Sequence, residues 1–361
     1  MISRQEAVRR VALVLLGLMI GAAAGEILAR LFAPERHPSK GLLRPLPADP
    51  IAFDYIPNSR AGDVEINPQG FRDDPFPGAK DSTETRIVWL GDSIVMGFGV
   101  RKSSRYTERM NKQLEEITHR RFRTINLGVE GYSNYQETLV LDRTAARLNP
   151  DLVALGFCWN DILRYEHFVD TLGHSKFLLE LGRQEYTDQP SLAQKVRSMI
   201  YERSRLAALL RDGAKDLLRR YGFSRADTPH PLTFAEFLDW YSVAWRGPDY
   251  DSLKAQIRGM KKRATEFHAR FALVLFPVSI QVEDEGEWET HLKAIEQSQD
   301  SLLRFCQTEG IVSFDLRPLL RESYELEKEK MFLDVWHLND KGHEVTARAI
   351  ATFFARTMFR D

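Results

Sequence analysis

Arg86-Ile87-Val88-Trp89-Leu90-Gly91-Asp92-Ser93-Ile94-Val95-Met96-Gly97-Phe98-Gly99 is the stretch whose reading decides the fold. An apolar run suited to a buried strand ends abruptly in Gly91-Asp92-Ser93, and a glycine-punctuated segment follows. A parallel strand that stops in this way before a helix presents its serine at the carboxyl end of a sheet, where ligands of open α/β folds bind. Amides at the start of the next helix point at the same spot, backed by the positive end of the helix dipole. This is the strand–turn–helix arrangement of a nucleophile elbow, although Gly-x-Ser-x-Gly itself is absent. Alone, Gly-Asp-Ser is a weak signal.

Outward from that stretch, short apolar runs alternate with helical ones. Strands are expected at 87–90, 123–127, 152–157, 271–276 and 311–314, with helices near 106–117, 134–148, 251–268, 288–307 and 342–359. The alternation predicts an α/β fold, a three-layer α/β/α sandwich with a five-stranded parallel sheet covered on both faces. Residues 162–270 read as a helical insertion after the third strand, at the active-site end of the sheet. Its aromatics Phe234, Phe237, Trp240, Tyr241 and Trp245 suit the core face of a helix better than a pocket wall. Its basic residues Arg203, Arg205, Arg211, Lys215, Arg219 and Arg220 are read as a solvated face, with an anionic polymer or lipid surface as the alternative.

The chain has 361 residues, a formal net charge of −1 and 28% charged residues, which gives no electrostatic footprint for nucleic acid. Two cysteines, Cys158 and Cys306, make neither a disulfide framework nor a metal site; their pairing is left open. No metal or other cofactor is called for. Residues 1–33 differ from the rest. Arg4, Arg9 and Arg10 precede an uncharged run from Val11 to Gly25, and apolar residues continue past Glu26 and Arg30 to Phe32. Counted to Phe32 the run approaches the roughly 20 residues that span a bilayer. It reads as an uncleaved membrane anchor rather than a cleaved signal, with the body periplasmic or extracellular by the positive-inside rule. Residues 34–85 are rich in proline and read as an extended lead over the surface of the domain that starts at 86. Within it, Asn67-Pro68-Gln69-Gly70-Phe71-Arg72-Asp73 reads as a turn that packs one aromatic inward.

Further motifs fall at strand ends. Asn126-Leu127-Gly128-Val129-Glu130-Gly131 follows the second strand, and its glycines offer amides to a developing oxyanion. Cys158-Trp159-Asn160-Asp161 follows the third, where the Asn160 amide can reach the same oxygen. Asp334-Val335-Trp336-His337-Leu338-Asn339 precedes the last helix, and its carboxylate can hold the imidazole so that the other ring nitrogen faces the serine. Asp340 and His343 have the same spacing; the loop position of His337 favours it over His343, which starts the closing helix.

Taken together these blocks resemble the SGNH hydrolases of the GDSL esterase/lipase superfamily, of the membrane-tethered bacterial type, from about Arg86 to the end. The resemblance implies Ser93 as nucleophile, Asp334 and His337 as its partners, and an oxyanion hole of Ser93, Gly131 and Asn160. Gly128 is the second choice for the glycine, and Trp159 and Trp336 are possible substrate-lining residues. Ile94 replaces the usual Leu, and Cys158 stands where the family has glycine. The implied activity is hydrolysis of acetyl or short acyl esters on a glycan or lipid. The alternatives are an O-acyltransferase acting on a polysaccharide and a non-catalytic glycan-binding protein.

Overall fold

The computed structural model describes residues 4–32, 42–46, 49–76, 78–162, 204, 206, 207, 210, 242–283 and 289–360. Within the insertion, the stretch 192–221, whose Arg, Leu and Ala content predicts a helix, is described only at 204, 206, 207 and 210, and the basic residues from Arg203 to Arg220 and all of the aromatics except Trp245 lie outside the described residues. The chain divides into two compact units, residues 1–36 with 183–231, and residues 37–182 with 232–361.

The described part of the first unit is helix α1 (Arg4–Phe32) with four residues near 207. Its stretch Ala12–Ala29 has a mean hydropathy of 2.1 and is long and apolar enough to cross a membrane or to serve as a signal segment. Glu26, which interrupts the apolar run, accepts hydrogen bonds from the Ser204 hydroxyl (2.8 Å) and the Leu206 amide (3.0 Å).

The second unit begins with two short antiparallel hairpins, β1 (Leu43–Leu46) with β2 (Ala52–Tyr55) and β3 (Arg60–Ala61) with β4 (Val64–Glu65). The parallel sheet follows as β5 (Glu84–Gly91), β6 (Arg121–Asn126), β7 (Leu152–Phe157), β8 (Arg270–Leu275) and β9 (Val312–Asp315), in the spatial order β6-β5-β7-β8-β9. Helix α2 (Ser93–Met96) is a single turn after β5, followed by α3 (Tyr106–Thr118), α4 (Asn134–Arg143), α5 (Pro248–Glu266), α6 (Glu289–Thr308), α7 (Arg317–Glu327) and α8 (Asp340–Thr357). Helices α3 and α8 pack together on one face, and α4 and α5 pack together on the other. Helix α7 was not expected from the pattern, although Pro318 in its first turn is a start signal. Covered on both faces, β7 is buried along its whole length and β5 from Thr85 onward, which is why both read as near-continuous apolar runs.

The sheet order changes direction at β5, because β6 lies on one side of it and β7 on the other. The register aligns Trp89 with Asn126 and Gly91 with Gly156, so the chain leaves all three strands at the same edge of the sheet. At that edge α2 inserts Val95. A Cβ on Gly91 would lie 2.1 Å from Val95 Cγ2, one on Gly156 2.5 Å from it, and one on Gly128 2.4 Å from the Met96 amide nitrogen. These glycines are therefore spaces into which the turn of the serine is packed.

Gly128→Ala tests this packing. The methyl meets backbone rather than a flexible side-chain end, so the variant is expected to lose roughly 3 kcal/mol in denaturant unfolding.

Candidate active site

Ser93 is the first residue of α2. Asp92 caps the helix, its Oδ1 accepting the Ile94 amide at 2.8 Å. The Ser93 amide, as the first of the helix, has no intrahelical acceptor and is free for a ligand oxygen.

The candidate base, His337, arrives from the far end of the chain. Residues 331–339 form a closed loop in which Leu333 N donates to His337 O (2.8 Å) and Asn339 N to Met331 O (2.9 Å). The Glu283 carboxylate accepts the amides of Met331 and Phe332. Asn339 caps α8 through the Gly342 amide. Inside this loop the Asp334 carboxylate receives the amides of Trp336 and His337, at 2.8 and 2.9 Å. His337 Nδ1 lies 2.8 Å from Asp334 Oδ2 and 3.0 Å from Oδ1. A carboxylate there selects the tautomer with the proton on Nδ1, which leaves Nε2 as an acceptor. Nε2 lies 2.9 Å from Ser93 Oγ, so the serine hydroxyl donates to it. Burial pushes the Asp334 carboxyl up, but the His337 hydrogen bond and charge, with the two loop amides, outweigh it and hold it below the ordinary value.

His343 is excluded from this role. It is buried, its Nδ1 accepts the Tyr106 amide (3.2 Å), and Asp340 pairs with Arg109 (2.8 Å). Burial first, then the charges of Arg105 and Arg109, push its pKa down to about 3.

Asn160 is brought beside the serine, its Nδ2 3.4 Å from Asp92 Oδ2, which in turn lies 3.5 Å from Ser93 Oγ. The loop after β6 is fixed beside Gly91 by Val129 N donating to Gly91 O (3.1 Å). In that loop Gly131 takes φ +78°, a conformation that suits glycine, and its amide has no acceptor among the described residues. Gly128, by contrast, donates its amide to Asn126 Oδ1 (2.9 Å), so that donor is spent, and the residue serves the packing of α2. Trp159 is fully buried and its carbonyl accepts from Trp245 Nε1 (3.2 Å), which makes it part of the core rather than a pocket wall. Trp336 is half-buried on the loop of the base. Cys158 and Cys306 are buried free thiols, and burial pushes the Cys158 thiol well up, against a nucleophilic role.

Around the site, Phe98, Glu130 and Glu137 were not anticipated, whereas Asp92 and Asp161 read from the sequence as acids that tie the backbone, as they do to the Ile94 and Cys158 amides. Phe98 stacks on the His337 ring, with centroids 4.2 Å apart. Asp92, Glu137 and Asp161 are buried acids behind the serine. Burial raises all three, and the charge of Asp92 raises the other two further. Neither Glu137 oxygen has a hydrogen-bond partner among the described residues, which requires a neutral carboxyl there. Glu130 is also buried. Burial pushes its carboxyl up to about 7, with the His337 charge opposing and the Asp92 charge assisting. The signal available in the sequence for the unanticipated three was only adjacency to the motifs.

The Glu130 shift has a signed consequence for stability. In the unfolded chain the carboxyl ionises at its ordinary value of 4.5, whereas in the folded protein it keeps its proton to about 7. Its contribution is therefore full below pH 4.5 and is lost as pH rises through 7, by about 3 kcal/mol in total. Glu130→Gln is expected to melt above the wild type at pH 8 and level with it at pH 4.5, read by thermal unfolding at both.

The GDSL-like Lipase/Acylhydrolase family pattern matches residues 89–345. No curated protein matches in sequence. Among solved structures, the acetyl xylan esterase AlAXEase is 15% identical with a TM-score of 0.44, covering 74% of this chain and 98% of its own. A lipolytic G-D-S-L protein from Veillonella parvula is 13% identical with a TM-score of 0.42, covering 75% and 99%. A catalytic mutant of an acetylxylan esterase from Geobacillus stearothermophilus is 13% identical with a TM-score of 0.41, covering 74% and 93%. With the family pattern spanning well over half its length, the chain belongs to the GDSL-like lipase/acylhydrolase family and is a serine hydrolase of the SGNH type.

Proposed function

We propose that this protein is a membrane-anchored esterase that cleaves acetyl or short acyl esters of a glycan or lipid outside the cytoplasm. The observation that carries the chemistry is the 2.9 Å contact between Ser93 Oγ and His337 Nε2, with Asp334 bonded to the other ring nitrogen. Ser93 Oγ attacks the acyl carbonyl as its proton passes to His337 Nε2, and Asp334 stabilises the imidazolium that results. The oxyanion is received by the amides of Ser93 and Gly131 and by the second Nδ2 proton of Asn160, the first being held by Asp92. Collapse expels the alcohol, protonated by His337, and leaves an acyl-serine. Water, activated by the same imidazole, then releases the acid. The apolar N-terminal helix tethers the enzyme, and its basic start keeps that end in the cytoplasm.

The test uses the full chain in detergent, with p-nitrophenyl acetate, butyrate and octanoate. Turnover is expected to favour the short chains and to fall by at least about 10³-fold in Ser93→Ala and in His337→Ala. Asn160→Ala is expected to lose about 10²–10³-fold, mainly in kcat. Equal rates for wild type and Ser93→Ala would remove the serine from the chemistry. Acyl transfer to an added polysaccharide in preference to water would make the protein an acyltransferase. Salt-sensitive glycan binding without ester cleavage would make it a binding protein.

A further inference from the structure

Phe98 lies between Gly97 and Gly99, both of which adopt left-handed backbone, with φ +81° and +77°. A ring flanked by two such residues has little intrinsic rigidity, yet this ring is the surface on which His337 stacks. The turn is held from within by the Phe98 amide donating to Ser93 O (2.9 Å), and a second hold comes from outside it. The Arg72 guanidinium supplies that hold: Nη1 donates to Gly97 O (2.5 Å) and to Met96 O (3.4 Å), and Nη2 donates to Val100 O (2.8 Å). It grips the chain on both sides of Phe98. Among the described residues Arg72 makes no ion pair, although it is buried.

Arg72 is itself fixed. Its carbonyl accepts from Arg105 Nη1. The preceding turn is closed by Asn67, whose Oδ1 takes the amides of Gln69 and Phe71, both at 2.9 Å. The next residue, Asp73, accepts the Asn126 amide (2.9 Å) at the end of β6. The lead thus reaches the nucleophile turn from residues that lie before the family match, which starts at 89.

We propose that Arg72 is a positioning residue for the reaction: by clamping the carbonyls on either side of Phe98, it fixes the wall against which the His337 ring is set. The proposal rests on the reading of His337 as general base. Arg72 touches neither the reacting atoms nor the triad and acts through Phe98.

The test is a double-mutant cycle on the full-length protein in detergent, with Arg72→Lys, Phe98→Leu and the pair, and with Ser93→Ala alongside. The readouts are kcat and KM for p-nitrophenyl acetate, the pH profile of kcat/KM, and the melting temperature. Each single variant is expected to lose about tenfold or more in kcat, with KM within about twofold and the acid limb of the pH profile displaced. The double variant is expected to be no worse than the weaker single, because both break one relay. Additive losses, a change confined to KM, or a wild-type rate in Phe98→Leu would overturn it. Arg72→Gln, which keeps one donor group for the carbonyls, is read in the same way. If neither Arg72 variant folds, the residue is structural and the proposal fails. Turnover that survives in Ser93→Ala would overturn the hydrolase reading itself, and the proposal with it.

Discussion

Val95 occupies a socket whose walls are the places where Gly91, Gly128 and Gly156 lack side chains. These glycines come from the end of β5, the loop after β6 and β7. Any methyl there would overlap Val95 or the backbone beside it, so α2 is seated only because glycines stand at the end of β5, next to the end of β7 and in the loop after β6. The position of Ser93 follows from that seating, since it is the residue that opens the same helical turn. The direction of its amide follows too. The placement of Ser93 and of its amide is thus set by a packing constraint, and the hydrogen bonds around them refine a geometry that sterics have already chosen.

Electrostatics divides the acids around this turn into two kinds. Asp334 stands on an exposed loop with the His337 Nδ1 donor and two amides on its oxygens, and these contacts favour its ionised form. Asp92, Glu137 and Asp161 are enclosed, and burial favours their neutral forms. A full set of ionised carboxylates at this depth would repel one another and disfavour an oxyanion beside Ser93. Burial thus pushes the deep acids toward their neutral forms while the loop favours the ionised form of Asp334 beside the imidazole, and Asp92 holds Asn160 and the Ile94 amide.

The proline-rich lead belongs to the same mechanical unit. Tyr55 Oη accepts the Glu130 amide (3.2 Å), Tyr132 Oη donates to Phe53 O (2.9 Å), and Gln136 Nε2 donates to Ile51 O (3.1 Å). The first hairpin therefore braces the loop that carries Gly131, while Arg72 braces the turn that carries Phe98. Proline removes backbone donors and discourages long helices, which suits a segment that bonds to its neighbours mostly through side chains and turns.

The sequence by itself determined the alternation of strands and helices and the sheet class, and it singled out the serine, the asparagine and the Asp-x-x-His pair that the structure brings together. These are properties of local periodicity and of chemistry at strand ends, and both are written within a few residues of each position. It also carried the apolar stretch of α1. Two candidates at loop ends, Gly128 and Trp159, were indistinguishable from site residues in one dimension, because a glycine that makes room for a helix and a glycine that offers an amide are the same letter. The choice between His337 and His343 leaned on loop position, and it was the burial of His343 against Tyr106 that decided it. Only the tertiary structure decided which amides are already spent, which acids are neutral, and that Arg72 and Phe98 stand behind the imidazole. Those facts depend on distances between segments far apart in the chain, and on exclusion of water, neither of which a local pattern encodes.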